Sequence, residues 1–297
     1  MRPLSSVLCV LHVFVVDPSV SQGRFRLLAL DIDGTLLTSD KSISPRTRAA
    51  IEEARRRGVG VVLVTGRRHP AARRVAEDLG GHVPLVLHNG ALVIEDSAVL
   101  RVRPLPLDAA RRVVRIGRAA GADPVVHAGL QGEGQLLVEG LAASSTLLAY
   151  YLERSHPDVQ TVPDLETAVA EDPIQVMFGG RTSEMEDLRP RLAVLEGEVR
   201  IVRTLYPRQG VGLLDVLHPE VDKADALAFL QARWGVSASE TLAIGDNWND
   251  HEMLEQAGLG LVMGNADPEI LQLGFPVLPT NDEDGVAVAV ERYLFRE

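Results

Sequence analysis

The sequence predicts an α/β protein with a Rossmann-like, three-layer core built on a parallel sheet, and with an α+β domain inserted into that core. Two observations lead to this prediction. Near both ends of the chain, short apolar runs that end in polar residues alternate with stretches of helical character, which is typical of parallel strands covered by helices. Over residues 92–205 this alternation is lost, and short strands mix with helices instead.

The composition excludes several classes of protein. The net charge of −11 argues against a nucleic-acid partner, which would require a basic patch. The only cysteine, Cys9, cannot form an intramolecular disulfide, and no apolar run is long enough to span a membrane. We therefore expect a cytoplasmic protein with neither a membrane nor a nucleic-acid partner, and its oligomeric state is left open.

Residues 1–24 precede the globular pattern and are predicted as a leader of uncertain status. The apolar run from Val7 to Val16 resembles a weak signal peptide, but its basic region is thin and the cleavage site that follows is poor. A non-native leader from a misplaced translation start is the favoured alternative. Export, with residues 1–21 acting as a signal peptide, is the weaker expectation.

The first strand is predicted at Arg26 to Leu30, a run that ends at Asp31 and Asp33 and a glycine turn. The carboxyl end of a parallel strand faces the ligand-binding edge of the sheet, so both acids belong at that edge. Two adjacent carboxylates repel each other unless a cation or a shared proton intervenes. With a metal, Asp31 is a candidate nucleophile and Asp33 a candidate general acid and base. An Asx turn or a helix cap is the structural alternative.

The next elements continue the alternation: a helix at 45–57, a strand at 60–64, a helix at 70–79 and a strand at 84–87. Ser44 as N-cap and Pro45 at the first helical position set the start of the first helix. Short connections between such elements are typical of a right-handed parallel sheet.

The alternation returns in the last third of the chain. Strands are predicted at 211–217, 241–244 and 260–263, with helices beginning near Lys223, after Asp250 and near Gly285. We therefore predict core segments at 25–91 and 206–297 around an inserted domain at 92–205.

Polar residues follow four of the predicted core strands: Asp31 with Asp33, Thr65, Asp246 with Asp250, and Asn265. Because the carboxyl ends of parallel strands meet at one edge, a single site is expected despite the long sequence separations. Several acids at one site require a divalent cation, and oxygen ligands favour Mg²⁺ over zinc. Such a cluster, with a hydroxyl, turn N–H groups and a lysine, suits a phosphoryl group.

Four motifs in this order resemble those of the haloacid dehalogenase superfamily of phosphatases: Asp31 to Thr35, Thr65-Gly66-Arg67, Lys223, and Gly245-Asp246 to Asn249-Asp250. Four further motifs narrow the resemblance to the Cof-like sugar-phosphatase branch: Asn89-Gly90-Ala91, Glu252-Met253-Leu254 with Ala257-Gly258, Met263 to Ala266, and Asn281 to Val286. The resemblance covers about residues 26–290 and implies that the inserted domain is a cap that selects the substrate.

The resemblance also implies a role for each site residue. Asp31 would attack phosphorus to form an aspartyl-phosphate, and Asp33 would protonate the leaving alcohol and then activate water. Mg²⁺ would be held by Asp31, the main-chain carbonyl of Asp33 and Asp246, with Asp250 supporting it through water. The residues expected to bind the phosphate are Thr65, Gly66, Lys223 and Asn249.

The expected function is Mg²⁺-dependent hydrolysis of a small phosphomonoester, such as a sugar phosphate or a related metabolite. Phosphotransfer to a second alcohol, as in phosphomutases, is one alternative and requires a cap that excludes water. A non-catalytic binder of phosphorylated ligands is another. The presence of both Asp31 and Asp33 argues against that binder, which needs neither a nucleophile nor an acid.

Overall fold

The computed structural model of the protein describes residues 24–140, 146–206 and 209–295, so nearly all of the predicted leader lies outside the described residues. The strands are β1 (Leu27–Leu30), β2 (Gly60–Val64), β3 (Leu85–Leu87), β4 (Leu92–Glu95), β5 (Ala98–Val102), β6 (Val125–His127), β7 (Leu136–Val138), β8 (Val159–Thr161), β9 (Gln175–Arg181), β10 (Arg200–Tyr206), β11 (Val211–Leu217), β12 (Thr241–Gly245) and β13 (Leu259–Val262). The helices are α1 (Pro45–Arg56), α2 (His69–Asp78), α3 (Leu107–Ala119), α4 (Thr146–Ser155), α5 (Leu165–Ala168), α6 (Thr182–Leu192), α7 (Lys223–Trp234), α8 (His251–Gln256), α9 (Pro268–Leu271) and α10 (Gly285–Tyr293).

Across these described ranges, no helix combines the length and the apolar composition that a bilayer crossing requires.

The larger sheet has the strand order β13-β12-β1-β2-β3-β4-β5. From β13 to β3 all neighbours are parallel, and β1 lies in the middle, with Leu28 paired to Leu242 on one side and to Val61 on the other. Helices cover both faces. Leu28 belongs to an apolar layer with Ile51 of α1, whereas Leu27 belongs to the opposite layer with Leu230 of α7. The predicted three-layer parallel core is confirmed.

The smaller sheet, with the order β10-β11-β9-β6-β7-β8, forms the inserted domain, which we call the cap. Its strands pair antiparallel except for β7 and β8. On one face, Phe178 packs in a layer with Val113 of α3 and Leu188 of α6. On the other face, Met177 packs with Leu148 of α4. This arrangement matches the predicted α+β insertion.

Strand pairing divides the chain differently from the predicted boundaries. The β4–β5 hairpin, which begins at residue 92, extends the larger sheet, because a tight turn at 88–90 returns β4 directly alongside β3. The strand at 211–217, β11, is present as predicted but pairs with β9 and β10 in the cap. A short connection after β10 favours this antiparallel hairpin. The chain thus changes sheets after residue 102 and again after residue 217.

Candidate active site

The loops that follow β1, β2 and β12 open on one edge of the larger sheet, because these strands are parallel neighbours. Carboxylate oxygens of Asp31, Asp246 and Asp250 all lie within 4.8 Å of one another there. All three side chains are buried, and Asp250 is 0% exposed. The structure therefore brings together three acids that are far apart in the sequence.

Lys223 pairs with two of the three acids in this cluster. Its Nζ atom donates to Oδ1 of Asp31 and to Oδ1 of Asp250, each at 2.6 Å, and the lysine side chain is 0% exposed. The Asp222 side chain accepts the N–H of Asp225, which fixes the start of α7 and places Lys223 at its first position. A buried ammonium is costly unless it is paired, so these two acids are what make its burial tolerable.

The cluster is short of positive charge, since three carboxylates surround one ammonium. Burial raises the pKa of Asp31 to about 7 against the opposing charge of Lys223, and repulsion by Asp250 adds to the rise. Burial, together with Asp31 and Asp250, also holds the pKa of Asp246 well above its usual range. For Lys223 the two paired acids outweigh burial and raise its pKa. The missing charge and the all-oxygen donor set both fit a hard divalent cation.

The hydrogen bonds distinguish the acids. Asp250 uses Oδ1 for Lys223 and Oδ2 for the N–H groups of Asp246 and Asn247, both at 3.0 Å, so it orients the loop. Asp246 accepts the Thr35 hydroxyl at 2.9 Å through Oδ1. Within the described residues, Asp31 and Asp246 each have only one oxygen in such a bond. These two acids are therefore the better placed to bind a cation directly.

Asp33 points away from this cluster. Its carboxylate makes a bidentate ion pair with Arg67, at 2.6 and 2.7 Å, and it also accepts from Lys41 at 3.2 Å. Burial alone would raise the pKa of Asp33, but the bonds to Arg67 and Lys41 outweigh it and lower the pKa to about 2. Asp33 is thus ionised in this arrangement, and Arg67 must move before Asp33 can carry a proton.

The residues predicted to bind phosphate are connected through Asn89. Oγ1 of Thr65 accepts the N–H of Arg67 at 3.1 Å, which leaves the hydroxyl proton as a donor. The backbone N–H of Asn89 donates to the Thr65 carbonyl at 3.0 Å, and its Oδ1 accepts from Nδ2 of Asn249 at 2.9 Å. Gly66 packs so closely that a Cβ there would lie 3.1 Å from the same Oδ1 atom.

Sequence reasoning missed the cap residues at this site. Nδ2 of Asn247 donates to the carbonyl of Leu205 in β10 at 2.9 Å, so the acid loop is bonded to the edge of the cap. At the adjacent Tyr206, burial and the charges of Asp33 and Asp31 raise the pKa of the phenol, which lies near these two acids. Only Asp215 carries a sequence signal, as a lone acid in the apolar strand β11.

Gly34→Ala is expected to weaken Mg²⁺ binding by about tenfold or more. The added methyl group would displace Asp246, a predicted metal ligand, and changes in what surrounds a ligand alter metal affinity on that scale. Gly34 has φ of +82°, and a Cβ there would lie 2.3 Å from Oδ2 of Asp246. Calorimetric titration with Mg²⁺ measures the effect. Gly81→Ala is the matched control, because Gly81 has φ of +71° but open space around it. Equal Mg²⁺ affinity in the two variants would contradict the prediction.

Residues 28–290 match the family profile of haloacid dehalogenase-like hydrolases. The 5-amino-6-(5-phospho-D-ribitylamino)uracil phosphatase YitU of Bacillus subtilis is 29% identical over 276 residues, which cover 90% of this chain and 97% of that protein. The HMP-PP phosphatase of Serratia proteamaculans is 31% identical over 251 residues, covering 84% and 87%. A solved structure of a haloacid dehalogenase-like hydrolase from Bacteroides thetaiotaomicron has a TM-score of 0.74 at 26% identity, covering 90% of this chain and 99% of its own.

The profile spans most of the chain, and the curated relatives align over nearly their whole length. The fold class, the family and the class of enzyme that the motifs predicted are therefore confirmed. The chain belongs to the haloacid dehalogenase-like hydrolases, in their Cof-like branch, as a hydrolase of phosphoric monoesters.

Proposed function

We propose that the protein is a Mg²⁺-dependent phosphatase that hydrolyses a small phosphomonoester, such as a sugar phosphate, through an aspartyl-phosphate intermediate. The observation that supports this most directly is the buried cluster of Asp31, Asp246 and Asp250 around Lys223. The printed names of the relatives, phosphatases of phosphorylated ribitylaminouracil and of HMP-PP, support a small metabolite as substrate.

In the first half-reaction, a carboxylate oxygen of Asp31 attacks phosphorus, and the bond from phosphorus to the alcohol oxygen breaks. The departing alkoxide takes a proton from Asp33, which must first have separated from Arg67 and taken up that proton from solvent. Lys223 uses two of its protons for acids and keeps the third for a phosphoryl oxygen. The Thr65 hydroxyl and the backbone N–H of Gly66 donate to the same phosphoryl group.

In the second half-reaction, Asp33 takes a proton from water while the water oxygen attacks phosphorus. The bond between phosphorus and Asp31 breaks, which releases inorganic phosphate and restores the carboxylate. Asp31, the main-chain carbonyl of Asp33 and Asp246 would hold Mg²⁺, with Asp250 as support. The cation would offset the acid charges and polarise a phosphoryl oxygen.

A cavity of 450 Å³ includes Lys223, but none of the three clustered acids, in its lining, and its size is common among pockets for small ligands. On the core side it is lined by Asn89, Lys223 and Asn249. Its other charged lining residues are three arginines and three acids: Arg189, Arg200, Arg203, Asp222, Glu252 and Glu269. Because these charges balance, the lining does not favour a substrate with a second anionic group.

The test is phosphate release from a panel of sugar phosphates, nucleotides, phosphorylated cofactors and p-nitrophenyl phosphate. We expect turnover with Mg²⁺, loss to background with EDTA, and recovery when Mg²⁺ is added back, because the acid charges otherwise repel a phosphate dianion. Release that is equally fast with EDTA would contradict the proposal. Isomerisation stimulated by a bisphosphate, without free phosphate, would indicate a phosphomutase. If a folded, Mg²⁺-binding protein shows neither phosphate release nor isomerisation, a non-catalytic binder is indicated.

A further inference from the structure

One buried carboxylate of the cap points at the core without a cation. Asp215 is 4% exposed and accepts from Nδ2 of Asn89 at 3.0 Å and from Nε2 of Gln175 at 2.8 Å. Within the described residues, no lysine or arginine forms an ion pair with it. Burial raises the pKa of Asp215 to about 7, although both amide bonds oppose the rise. An acid in this position is costly for stability, which indicates that it has a role other than folding.

The hydrogen bonds run in one direction, from the core to the cap. Nδ2 of Asn249 donates to Oδ1 of Asn89, and Nδ2 of Asn89 donates to Oδ2 of Asp215. An amide has one donor end and one acceptor end, whereas an ionised carboxylate only accepts. Asp215 therefore turns the Asn89 amide so that its oxygen faces Asn249. That oxygen in turn fixes the orientation of the Asn249 amide.

The same asparagine also holds the other phosphate-binding loop. Its backbone N–H donates to the Thr65 carbonyl, and its side chain packs over Gly66. Asn89 is 1% exposed and has φ of 55°, a conformation that Asn and Asp adopt more readily than other side chains. One carboxylate of the cap thus influences both loops through a single core residue.

We propose that Asp215 is a positioning residue of this phosphatase, which orients the Asn89 and Asn249 amides from the cap and so completes the phosphate site. The inference rests on the proposed function, because it requires Asn249 to bind the substrate phosphate, the role that the family resemblance implies for this residue. Asp215 itself contacts neither the phosphate nor the metal acids in this arrangement.

The decisive variant exchanges the aspartate at position 215 with the asparagine at position 89. Asp215→Asn keeps the shape but turns one acceptor into a donor, which must face a donor of Asn89 or Gln175. The other end of the Gln175 amide is held by the buried His88 ring at 3.3 Å, whereas Asn249 beyond Asn89 is only half-buried and can adjust. Relief therefore comes from turning the Asn89 amide, which sets its donor against that of Asn249. Adding Asn89→Asp removes the conflict, because the new carboxylate accepts from both Asn249 and the new amide at position 215.

The experiment measures kcat and KM for p-nitrophenyl phosphate with Mg²⁺. We expect Asp215→Asn to lower kcat/KM by about tenfold or more and the double variant to recover most of that loss. Asp158→Asn is the matched control: it neutralises another cap aspartate that bonds to the core, the partner of Arg68, and should stay within about twofold, because the amide oxygen and two cap carbonyls can still accept from Arg68. Full activity of Asp215→Asn, or a double variant as impaired as the single one, would overturn the proposal.

Two further measurements keep the test decisive. If Asp215→Asn does not fold, Asn89→Asp alone replaces it, since two facing carboxylates repel and the second substitution should restore activity. If the wild type releases no phosphate, the proposed function fails, and the side-chain amide NMR signal of Asn249 tests the positioning by itself. That signal should shift in Asp215→Asn, return in the double variant and stay in place in Asp158→Asn. An unmoved signal in Asp215→Asn would overturn the positioning role.

Discussion

Asp31→Asn is expected to lower kcat for p-nitrophenyl phosphate by at least about 10⁴-fold while the protein stays folded. An amide is a far weaker nucleophile than a carboxylate, and no aspartyl-phosphate can form on it. The fold should persist because Lys223 keeps its bond to Asp250, and the amide oxygen at position 31 can still accept from it. Phosphate release and thermal unfolding, measured on the same preparation, check both expectations.

The matched control for this loss is Asp40→Asn. Asp40 is an exposed acid on the loop that follows the same strand, and it accepts from Thr38 and Ser42 within its own turn. Its removal should change kcat by less than about twofold, since exposed charges outside the site contribute little. A folded Asp31→Asn variant that keeps more than about 1% of wild-type turnover would rule out Asp31 as the nucleophile.

Lys223→Met is expected to reduce the free energy of unfolding by about 3–5 kcal/mol at pH 8 without metal, and to abolish phosphate release. The change leaves the buried acids Asp31 and Asp250 without their shared cation. The pKa of Asp31 is about 7 with Lys223 present and should rise further without it. A raised folded-state pKa makes stability fall as pH increases above the unfolded value, so the deficit should shrink towards pH 5.

Urea unfolding of wild type and variant at pH 5 and pH 8, with EDTA and with Mg²⁺, measures this effect. Mg²⁺ should recover part of the stability, because it offsets the same acid charges. Lys41→Met is the comparison: Lys41 pairs with Asp33 at 3.2 Å, but its side chain is 60% exposed, so its loss should cost less than about 1 kcal/mol. A deficit that is constant with pH would show that the Lys223 effect comes from packing, not charge.

Those parts of the site that depend on strand order could be predicted from the sequence. Asp31, Thr65 and Asp246 each follow a buried strand of one parallel sheet, and that topology alone brings them to the same edge. Lys223 was predicted from its motif, and its position between two acids follows from the start of α7. Their roles in catalysis remain predictions that the variants above test.

The cap contacts could not be predicted in this way. Whether Tyr206 or Asp215 faces the core depends on how two domains dock, and no local pattern encodes that docking. The pairing of Asp33 with Arg67 likewise depends on side-chain conformation rather than on sequence spacing. The strand pairing differs from the predicted domain boundaries for a related reason: an apolar run identifies β11 as a strand but does not say which sheet the strand joins.

The central position of β1 has a consequence for how the chain folds. Leu28 pairs with Val61, which is synthesised soon after it. Leu28 also pairs with Leu242, which is synthesised only after the whole cap. During synthesis, one edge of the β1–β2 pair therefore stays open while the intervening residues emerge, and open apolar edges favour aggregation. A cap that folds early would shorten the effective loop between β1 and β12 and lower the entropy cost of closing it. Substitutions that slow folding of the cap should thus reduce the yield of active protein even where they leave the native acid cluster unchanged.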